Sequence, residues 1–489
     1  MAGPSHQSKV LQGSKDTSYL ISDTFKSIIW HIFLAIITGM IAWGFAATLK
    51  VTIMHSNEFL FTPFQHEAQQ ALLTEPNTDI TQPKINSPET RSTLEHAKWP
   101  WVFLAIILLG SLIRGYLFRS KAWHTSEGDG ASTTIDYFLD SYNQPADQIV
   151  QSRYKKPTFM EAVRRMIITA LTLGAGGSGG LEGPVIPVGE CIGSGICKKF
   201  GVTNQNTLRA IQVAGISAAV CTLLNAPFAS ALFALEIAYA ERIVYRTFLF
   251  SIFSVIVAYA LNRHFFPSGT EELFYIPHAH AYTLLEYIQV SFVAVFLSAP
   301  CGLGLKWFFG FLKRKTRSIP IIFRSPIGAL SVAFIALSLW FWLGLEPGYV
   351  LGMGENTISD LLMGSGNPLL QIWWVLLIII IAKIVSTGFT LMTGGSAGLL
   401  VPAMVLGGTM GAAVFHLFNF IPILSQASPN LFIISGIASA LVAVIEAPLA
   451  SIALVIEMFG AVYAPAVLLA VGISHLMSTY FRDHFRSNH

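Results

Sequence analysis

Residues 176–190 have the sequence Gly-Gly-Ser-Gly-Gly-Leu-Glu-Gly-Pro-Val-Ile-Pro-Val-Gly-Glu. The run places the carboxylate of Glu182 among glycines in a part of the chain that is otherwise apolar. The proline at position 184 suits the first turn of a helix, where no N–H is needed, so a helix start is predicted beside Glu182. On a protein surface such a carboxylate would only stabilise the helix dipole. At membrane depth an ionisable residue indicates a functional site, and we favour that interpretation.

The composition and the apolar runs indicate a membrane protein. Of the 489 residues, 53% are hydrophobic and 12% are charged, whereas an average soluble chain has roughly 25% charged residues. Five apolar runs approach or exceed the ~20 residues that span a bilayer: 27–54, 99–118, 290–312, 327–345 and 370–392. A shorter run, 248–261, leaves its own span open. Because a chain in lipid must satisfy its backbone internally, and the alternating segments of a barrel are missing, we predict an all-α polytopic membrane protein.

Basic residues are unevenly placed along the chain. They precede the first apolar run and follow the second, whereas the polar loop 55–97 between these runs is rich in acids. The positive-inside rule therefore predicts a multi-pass protein with a cytoplasmic N-terminus and an outer loop at 55–97. We expect it to lie in the inner cell membrane. A second cytoplasmic turn is predicted near residues 153–165. The basic residues used are Lys9, Lys15, Lys26, Arg114, Arg119, Lys121, Arg153, Lys155, Lys156, Arg164 and Arg165.

The pattern of the chain changes after its first two spans. Residues 1–25 are predicted to form a polar cytoplasmic N-terminal segment, with no cleavable signal peptide expected, and 26–122 are predicted to hold the first two membrane helices with the outer loop. From Thr158 onwards, Gly and Pro break the apolar stretches into pieces too short to span, such as 212–224. Broken helices at membrane depth are tolerated where they line a cavity or are buried in protein, and in transporters they mark the binding site.

The second half of the chain repeats the first. The glycine-rich run 393–402 matches the run that ends at Pro184, at an offset of 218 (402 minus 184). The segment 446–457 matches 225–236, at an offset of 221 (448 minus 227), and both contain Ala-Pro-x-Ala-Ser and end in Glu. We therefore predict one membrane domain built as an inverted repeat of many tilted and broken helices, with cores at 123–265 and 280–489 and a site at their interface.

Helix ends that meet inside a membrane can bind an anion without a buried cation. Their unsatisfied N–H groups and partial positive charge point at the ion. The candidate ends are 128–131, 183–186 and 398–400, and their glycines let the backbone approach a small anion such as a halide. The ionised carboxylate of Glu182 would occupy the place of an anion, whereas the protonated side chain would swing away and carry a proton.

Several motifs are similar to those of the CLC chloride channel and transporter family. Residues 180–184, Gly-Leu-Glu-Gly-Pro, resemble its GxEGP motif, and 398–402 resemble its GxFxP motif. Asn225-Ala226-Pro227 with Glu236 and Ala447-Pro448 with Glu457 resemble its paired helix segments, and the similarity extends from about 128 to 480. The resemblance implies a homodimer in the lipid membrane with one chloride pathway per subunit and a bound chloride ion. It also implies that Glu182 is the gating glutamate and that the backbone at Gly130, Gly183, Leu399 and Leu400 binds the anion.

Three positions depart from the family pattern. Asp129 stands where a serine usually faces the anion, so its carboxylate would repel the anion unless it is protonated or turned aside to cap a helix, and we favour the cap. Ile237 replaces the internal glutamate that relays protons in many family transporters. The coordinating tyrosine near the C-terminus has Tyr480 as its nearest candidate.

Three further acids are assigned roles, and two functional hypotheses follow from the sequence. Glu236 and Glu457 are predicted to reach a water interface or a partner at the pseudo-twofold axis, and Glu190 is a candidate substitute on the proton path. The four cysteines have no metal-ligand spacing, and no enzyme constellation, cofactor, metal or nucleic-acid partner is expected. The leading hypothesis is chloride/proton exchange gated by Glu182. The alternative is a passive chloride channel, which Ile237 favours because it cannot titrate.

Overall fold

The protein is helical throughout the part of the chain that the structure describes. This computed structural model describes residues 6–73, 99–140, 146–156, 158–239, 244–267, 282–293, 298–316, 318–364, 367–418 and 428–487. Within these ranges the helices are joined by turns and short 3₁₀ segments, with two isolated β-bridges and no β-strand. The prediction of an all-α fold is confirmed.

Eighteen α-helices are present among the described residues. In chain order they are α1 His6–Leu73, α2 Trp99–Leu117, α3 Gly130–Asp140, α4 Ala146–Lys155, α5 Thr158–Leu173, α6 Glu182–Lys199, α7 Gln205–Leu224, α8 Pro227–Tyr239, α9 Tyr245–Phe265, α10 Leu284–Val293, α11 Ala299–Thr316, α12 Ile321–Leu343, α13 Glu355–Met363, α14 Trp373–Met392, α15 Leu400–Phe418, α16 Pro429–Ile445, α17 Pro448–Phe459 and α18 Ala464–Ser487.

Eight helices of the described residues are long and apolar enough to cross a membrane. Four match predicted spans, and α9 shows that the short run 248–261 belongs to a 21-residue helix. The predicted single span 290–312 is covered by parts of α10 and α11 instead, with 294–297 outside the described residues. The interpretation of 212–224 as too short was wrong, since α7 begins at Gln205, where the Asn204 side chain accepts bonds from the next turn and caps it.

Helix α1 runs well beyond the predicted end of the first span. The outer loop was predicted to begin at His55, but the helix continues to Leu73, and residues 74–98 lie outside the described residues. Burial explains the difference: Phe64 is fully buried, and its ring packs edge-on against Phe103 of α2 and Trp340 of α12. This apolar anchor stabilises a helix whose sequence looks polar, even with Pro63 inside it.

The internal repeat is visible in how pairs of helices pack. A Cβ atom added to Gly189 of α6 would lie 2.5 Å from the carbonyl oxygen of Gly215 of α7, and one added to Gly407 of α15 would lie 2.2 Å from that of Gly436 of α16. These two pairs are related by the sequence offsets of the repeat. Small residues at such crossings let membrane helices approach closely. The two halves therefore share one packing arrangement.

A glutamate from each half of the chain also caps the start of a helix in the other half. Glu457 at the end of α17 accepts backbone N–H bonds from Phe228 and Ala229 at 3.2 and 2.8 Å, at the start of α8. Glu236 at the end of α8 accepts the equivalent bonds at the start of α17, at 3.1 and 2.8 Å. Each carboxylate satisfies first-turn N–H groups that have no partner within their own helix. Both acids thus serve the pseudo-twofold contact, one of the two roles expected for them.

Candidate anion pathway and its gate

The site is built where the two repeats meet through paired glycines. Gly180 and Gly398, equivalent positions of the repeat, exchange both backbone hydrogen bonds at 2.9 and 2.6 Å. A Cβ atom at Gly183 would lie 2.5 Å from the Cα of Gly398, so a side chain has no room there. This glycine junction, formed by Gly180, Gly183 and Gly398, brings the N-terminal ends of α6 and α15 into direct contact.

Two threonines hold the loops that lead into the junction. Thr172 Oγ1 accepts the N–H of Ser396 at 3.1 Å, and Thr390 Oγ1 accepts the N–H of Ser178 at 3.0 Å. The repeat relates these two bonds to each other. Because both loops are fixed by buried side chains, the orientation of the two helix ends is set before any ion binds.

Glu182 lies where the sequence predicts, at the first residue of α6. Its side chain is 2% exposed, and its Oε2 atom is buried without a hydrogen-bond partner. A Cβ atom at Gly180 would lie 2.3 Å from this oxygen and 3.4 Å from the backbone nitrogen of Val401. The carboxylate is therefore folded back over Gly180, close to the start of α15. A buried oxygen without a partner is costly, and it marks a group that changes its protonation or its position.

A cavity opens on one side of the gate. It has a volume of about 290 Å³ and lies between α1 and the loop before α13, with Asn57, Gly352 and Glu355 in its lining. Gly352 is bonded to the glycine run itself, since it accepts the N–H of Gly179 at 3.1 Å. Glu355 and Lys50 both interact electrostatically with Glu182. This α1 cavity therefore borders the loop that packs against the glycine run.

A lysine that the sequence analysis did not consider lies beside the same loop. Lys383 of α14 is fully buried, and its Nζ atom donates to the carbonyl of Gly352 at 3.2 Å. Among the described residues it forms no salt bridge with a carboxylate. A buried lysine at membrane depth makes the surrounding potential positive and favours anions when it is protonated. Its sequence signal is a lysine that interrupts the apolar run 370–392.

Asp129 approaches the glycine junction from the other side. Its Oδ1 atom accepts the N–H of Ala131 at 3.3 Å and so caps α3, as the sequence interpretation favoured. The same atom would lie 2.3 Å from a Cβ at Gly183, so the carboxylate caps its helix without leaving the site. Gly130 packs against the Gly183 carbonyl with no space for a side chain. The predicted helix start within 128–132 is therefore part of the site.

Arg165 supplies a positive charge next to Asp129. Its side chain is buried, although it was used as a marker of a cytoplasmic turn. Its Nη1 atom donates to the carbonyls of Ser126 and Gly128, each at 3.0 Å, and to the hydroxyl of Ser396 at 3.2 Å. It also interacts electrostatically with Asp129. The guanidinium thus ties the start of α3 to the loop before α15.

The predicted backbone positions Leu399 and Leu400 lie at the start of α15. Leu400 is the first residue of that helix and is 3% exposed. The first N–H groups of a helix have no partner within it. Together with the ends of α3 and α6, they provide the donors that an anion would require.

Three predicted residues do not join the site in the expected way. Both oxygens of Glu190 are held by Arg153, at 2.9 and 2.7 Å, in a buried ion pair, which argues against a proton carrier. Tyr480 is 68% exposed near the end of α18, so it cannot line the buried junction, and the prediction that it coordinates the anion was wrong. Ile237 is buried and apolar on α8, and it offers no relay. No group of metal-binding side chains occurs within the described ranges.

Comparisons with known proteins agree with this arrangement. The exchange transporter ClcA of Vibrio vulnificus (strain YJ016), named as an H⁺/Cl⁻ exchanger, is 24% identical over 327 residues, which cover 61% of this chain and 63% of that protein. A chloride/fluoride channel protein of Pseudomonas syringae pv. tomato is 25% identical over 403 residues, which cover 79% of each chain. The chain thus spans less than two thirds of the length of the Vibrio relative.

A solved structure and a family model give the fold and the family. The crystal structure of a CLC-type fluoride/proton antiporter superposes with a TM-score of 0.68 at 18% identity, covering 92% of this chain and 95% of that one. The family model described as voltage gated chloride channel matches residues 92–479. The chain belongs to the voltage gated chloride channel (CLC) family of anion-transporting membrane proteins.

Proposed function

We propose that this protein exchanges chloride, or a similar monovalent anion, for protons across a cell membrane, with Glu182 as gate and proton acceptor. We also propose a homodimer with one pathway per subunit and a cytoplasmic N-terminus. The observation that carries the proposal is the carboxylate of Glu182, which is buried at the glycine junction with Oε2 unpartnered. A group that only stabilised its helix would not need this position.

The gate works by competition for the same donors. The ionised carboxylate of Glu182 and an anion both favour the N-terminal end of α15, so one excludes the other. Protonation removes the charge and lets the side chain move into the α1 cavity, which frees the helix ends for the anion. Lys50 and Glu355, which interact with Glu182, lie on the route of the arriving proton. One side chain therefore couples anion passage to proton binding.

The pathway suits a small monovalent anion. Backbone N–H groups and the unpaired Lys383 attract negative charge, and no bidentate clamp of the kind that selects phosphate lies among the described residues of the junction. Chloride is the anion we propose, and it is the one that we expect to occupy the junction. Fluoride is the other candidate, since the relative from Pseudomonas syringae is named as a chloride/fluoride channel.

The alternative function is a passive chloride channel. It is favoured by Ile237, which is buried and apolar at the position of the usual internal relay. In a passive channel Glu182 would open and close the pathway without moving protons stoichiometrically.

Reconstitution in liposomes separates the two functions. We expect an outward chloride gradient to drive protons into the vesicles against their own gradient, and the Glu182→Gln variant to lose proton movement while it still passes chloride. The matched control is Glu236→Gln, which changes a membrane carboxylate of the scaffold and keeps an oxygen for the cap of α17. Proton uptake by Glu182→Gln at the rate of the parent protein would exclude Glu182 as the proton acceptor.

A further inference from the structure

We propose that Asp129 is the second proton carrier of this protein, passing protons between Glu182 and the solvent on the α3 side of the junction. It would thereby replace the carboxylate that is missing at Ile237. This inference rests on the proton exchange proposed above and adds the residue that completes its route.

The position of the carboxylate is the first argument. Asp129 Oδ1 lies against Gly183, and Glu182 Oε2 lies against Gly180, three residues earlier. Both glycines touch Gly398, since a Cβ at Gly398 would lie 3.0 Å from the Gly183 Cα and 3.3 Å from the Gly180 carbonyl oxygen. The two carboxylates therefore lie against two glycines of one junction. An anion position between them is also a proton position, because water can occupy it between anions.

The surroundings allow Asp129 to change its charge. As a residue it is more exposed than Glu182, which is 2% exposed. The buried guanidinium of Arg165 on α5 interacts with it and offsets its charge when it is ionised. Arg165 also fixes the carbonyls of the loop before α3, which keeps the carboxylate at the junction. A carboxylate with one cation beside it can gain and lose a proton in turn.

The other acids on the neighbouring helices are engaged elsewhere. Helix α3 packs against α6 and α8. On α6, Glu190 is held in its ion pair with Arg153, and on α8, Glu236 caps α17. Asp136 and Asp140 of α3 are exposed. Among the described carboxylates of these three helices and their caps, Asp129 and Glu182 remain to face the junction.

The proton step balances without another reactant. The O–H bond of protonated Glu182 breaks and a proton passes through one water molecule at the junction, while an O–H bond forms on the carboxylate of Asp129. Glu182 is left ionised and again competes with the anion. Asp129 then releases its proton to the solvent on its own side, and the reverse sequence carries protons in the other direction.

The test compares proton and chloride fluxes of the reconstituted full-length protein. For Asp129→Asn, which keeps an oxygen for the cap of α3, we expect a loss of at least tenfold in the number of protons taken up per chloride released. Asp129→Glu retains a carboxylate and is expected to keep proton uptake. The matched control, Asp136→Asn on the same helix, is expected to keep both fluxes and the parent ratio of protons to chloride.

Each result decides between the inference and its alternatives. Suppose that the parent protein couples protons to chloride and Glu182→Gln does not. If Asp129→Asn still couples them, the role of Asp129 alone is overturned. Equal loss of both fluxes in a folded Asp129→Asn protein assigns the residue to the scaffold and also overturns the inference. If that variant does not fold, Asp129→Ser, with the residue that the family usually has, takes its place under the same criteria. A parent protein that moves chloride without protons overturns the proposed exchange and this inference together.

Discussion

The close contact of helix ends at Gly183 gives the sharpest structural prediction. In Gly183→Ala the new methyl group would lie 2.5 Å from the Gly398 Cα and 2.3 Å from Asp129 Oδ1, whereas ordinary contacts begin at 3.4 Å. The two helix ends must therefore separate by about 1 Å. Overpacking of this kind costs about 1–3 kcal/mol of stability. A misplacement of about 1 Å at a functional site lowers its rate by on the order of a hundredfold.

Two measurements on one preparation test this prediction. Chloride efflux from liposomes reports the function, and the midpoint of thermal unfolding in detergent reports the stability. The control is Gly472→Ala in α18, where an added Cβ meets nothing within 4 Å, so neither quantity should change appreciably. If Gly183→Ala has the same chloride efflux and the same unfolding midpoint as the control, the argument that the junction requires direct contact of α6 and α15 is refuted.

Three further predictions concern charged groups at membrane depth. Arg153→Met leaves Glu190 buried without its partner and should cost about 3–5 kcal/mol, measured as a lower unfolding midpoint that adding Glu190→Gln partly restores. Glu457→Ala leaves first-turn N–H groups of α8 unpaired and should cost about 1 kcal/mol in the same assay, with Glu457→Gln milder. Lys383→Met should weaken chloride binding by about tenfold in calorimetry, the equivalent of about 1.4 kcal/mol, and unchanged binding would contradict its electrostatic role.

The fold and the centre of the site could be predicted from local sequence. Glycines followed by a proline in a fixed order specify a helix start, and the recurrence of that order at positions 393–402, without the acid, implied a partner for it. The structure pairs these two runs through Gly180 and Gly398. Asp129 caps α3 as predicted, but it was expected to turn away from the site, and its carboxylate lies against Gly183 instead.

Other features depend on contacts between distant segments and could not be predicted. Arg165 and Arg153 look like markers of a cytoplasmic turn, but their partners lie on other elements: Ser396 for Arg165, and Glu190 for Arg153. The length of α1 depends on rings from α2 and α12 that pack around Phe64. Tyr480 was chosen because it is a tyrosine near the end of the chain, and residue type alone does not determine which side of a helix faces the core.

The roles of Glu190 and Ile237 show how the structure narrows the proton route. The sequence left Glu190 available as a substitute carrier, whereas the ion pair with Arg153 occupies both of its oxygens. The side chain of Ile237 is 6% exposed and has no polar atom to offer. On the proposed route, a proton that leaves Glu182 through the junction therefore reaches Asp129. The family pattern would assign this position to anion binding alone.

The coupling of chloride to protons through Glu182 is the central claim, and one experiment tests it most directly. Liposomes containing the parent protein and a high internal chloride concentration are placed in low chloride at equal pH, and the external pH is recorded. We predict that chloride leaving the vesicles drives proton uptake, so that the external solution becomes more alkaline until a proton ionophore dissipates the gradient. Rapid chloride efflux with an unchanged external pH would contradict the account and would leave a passive channel.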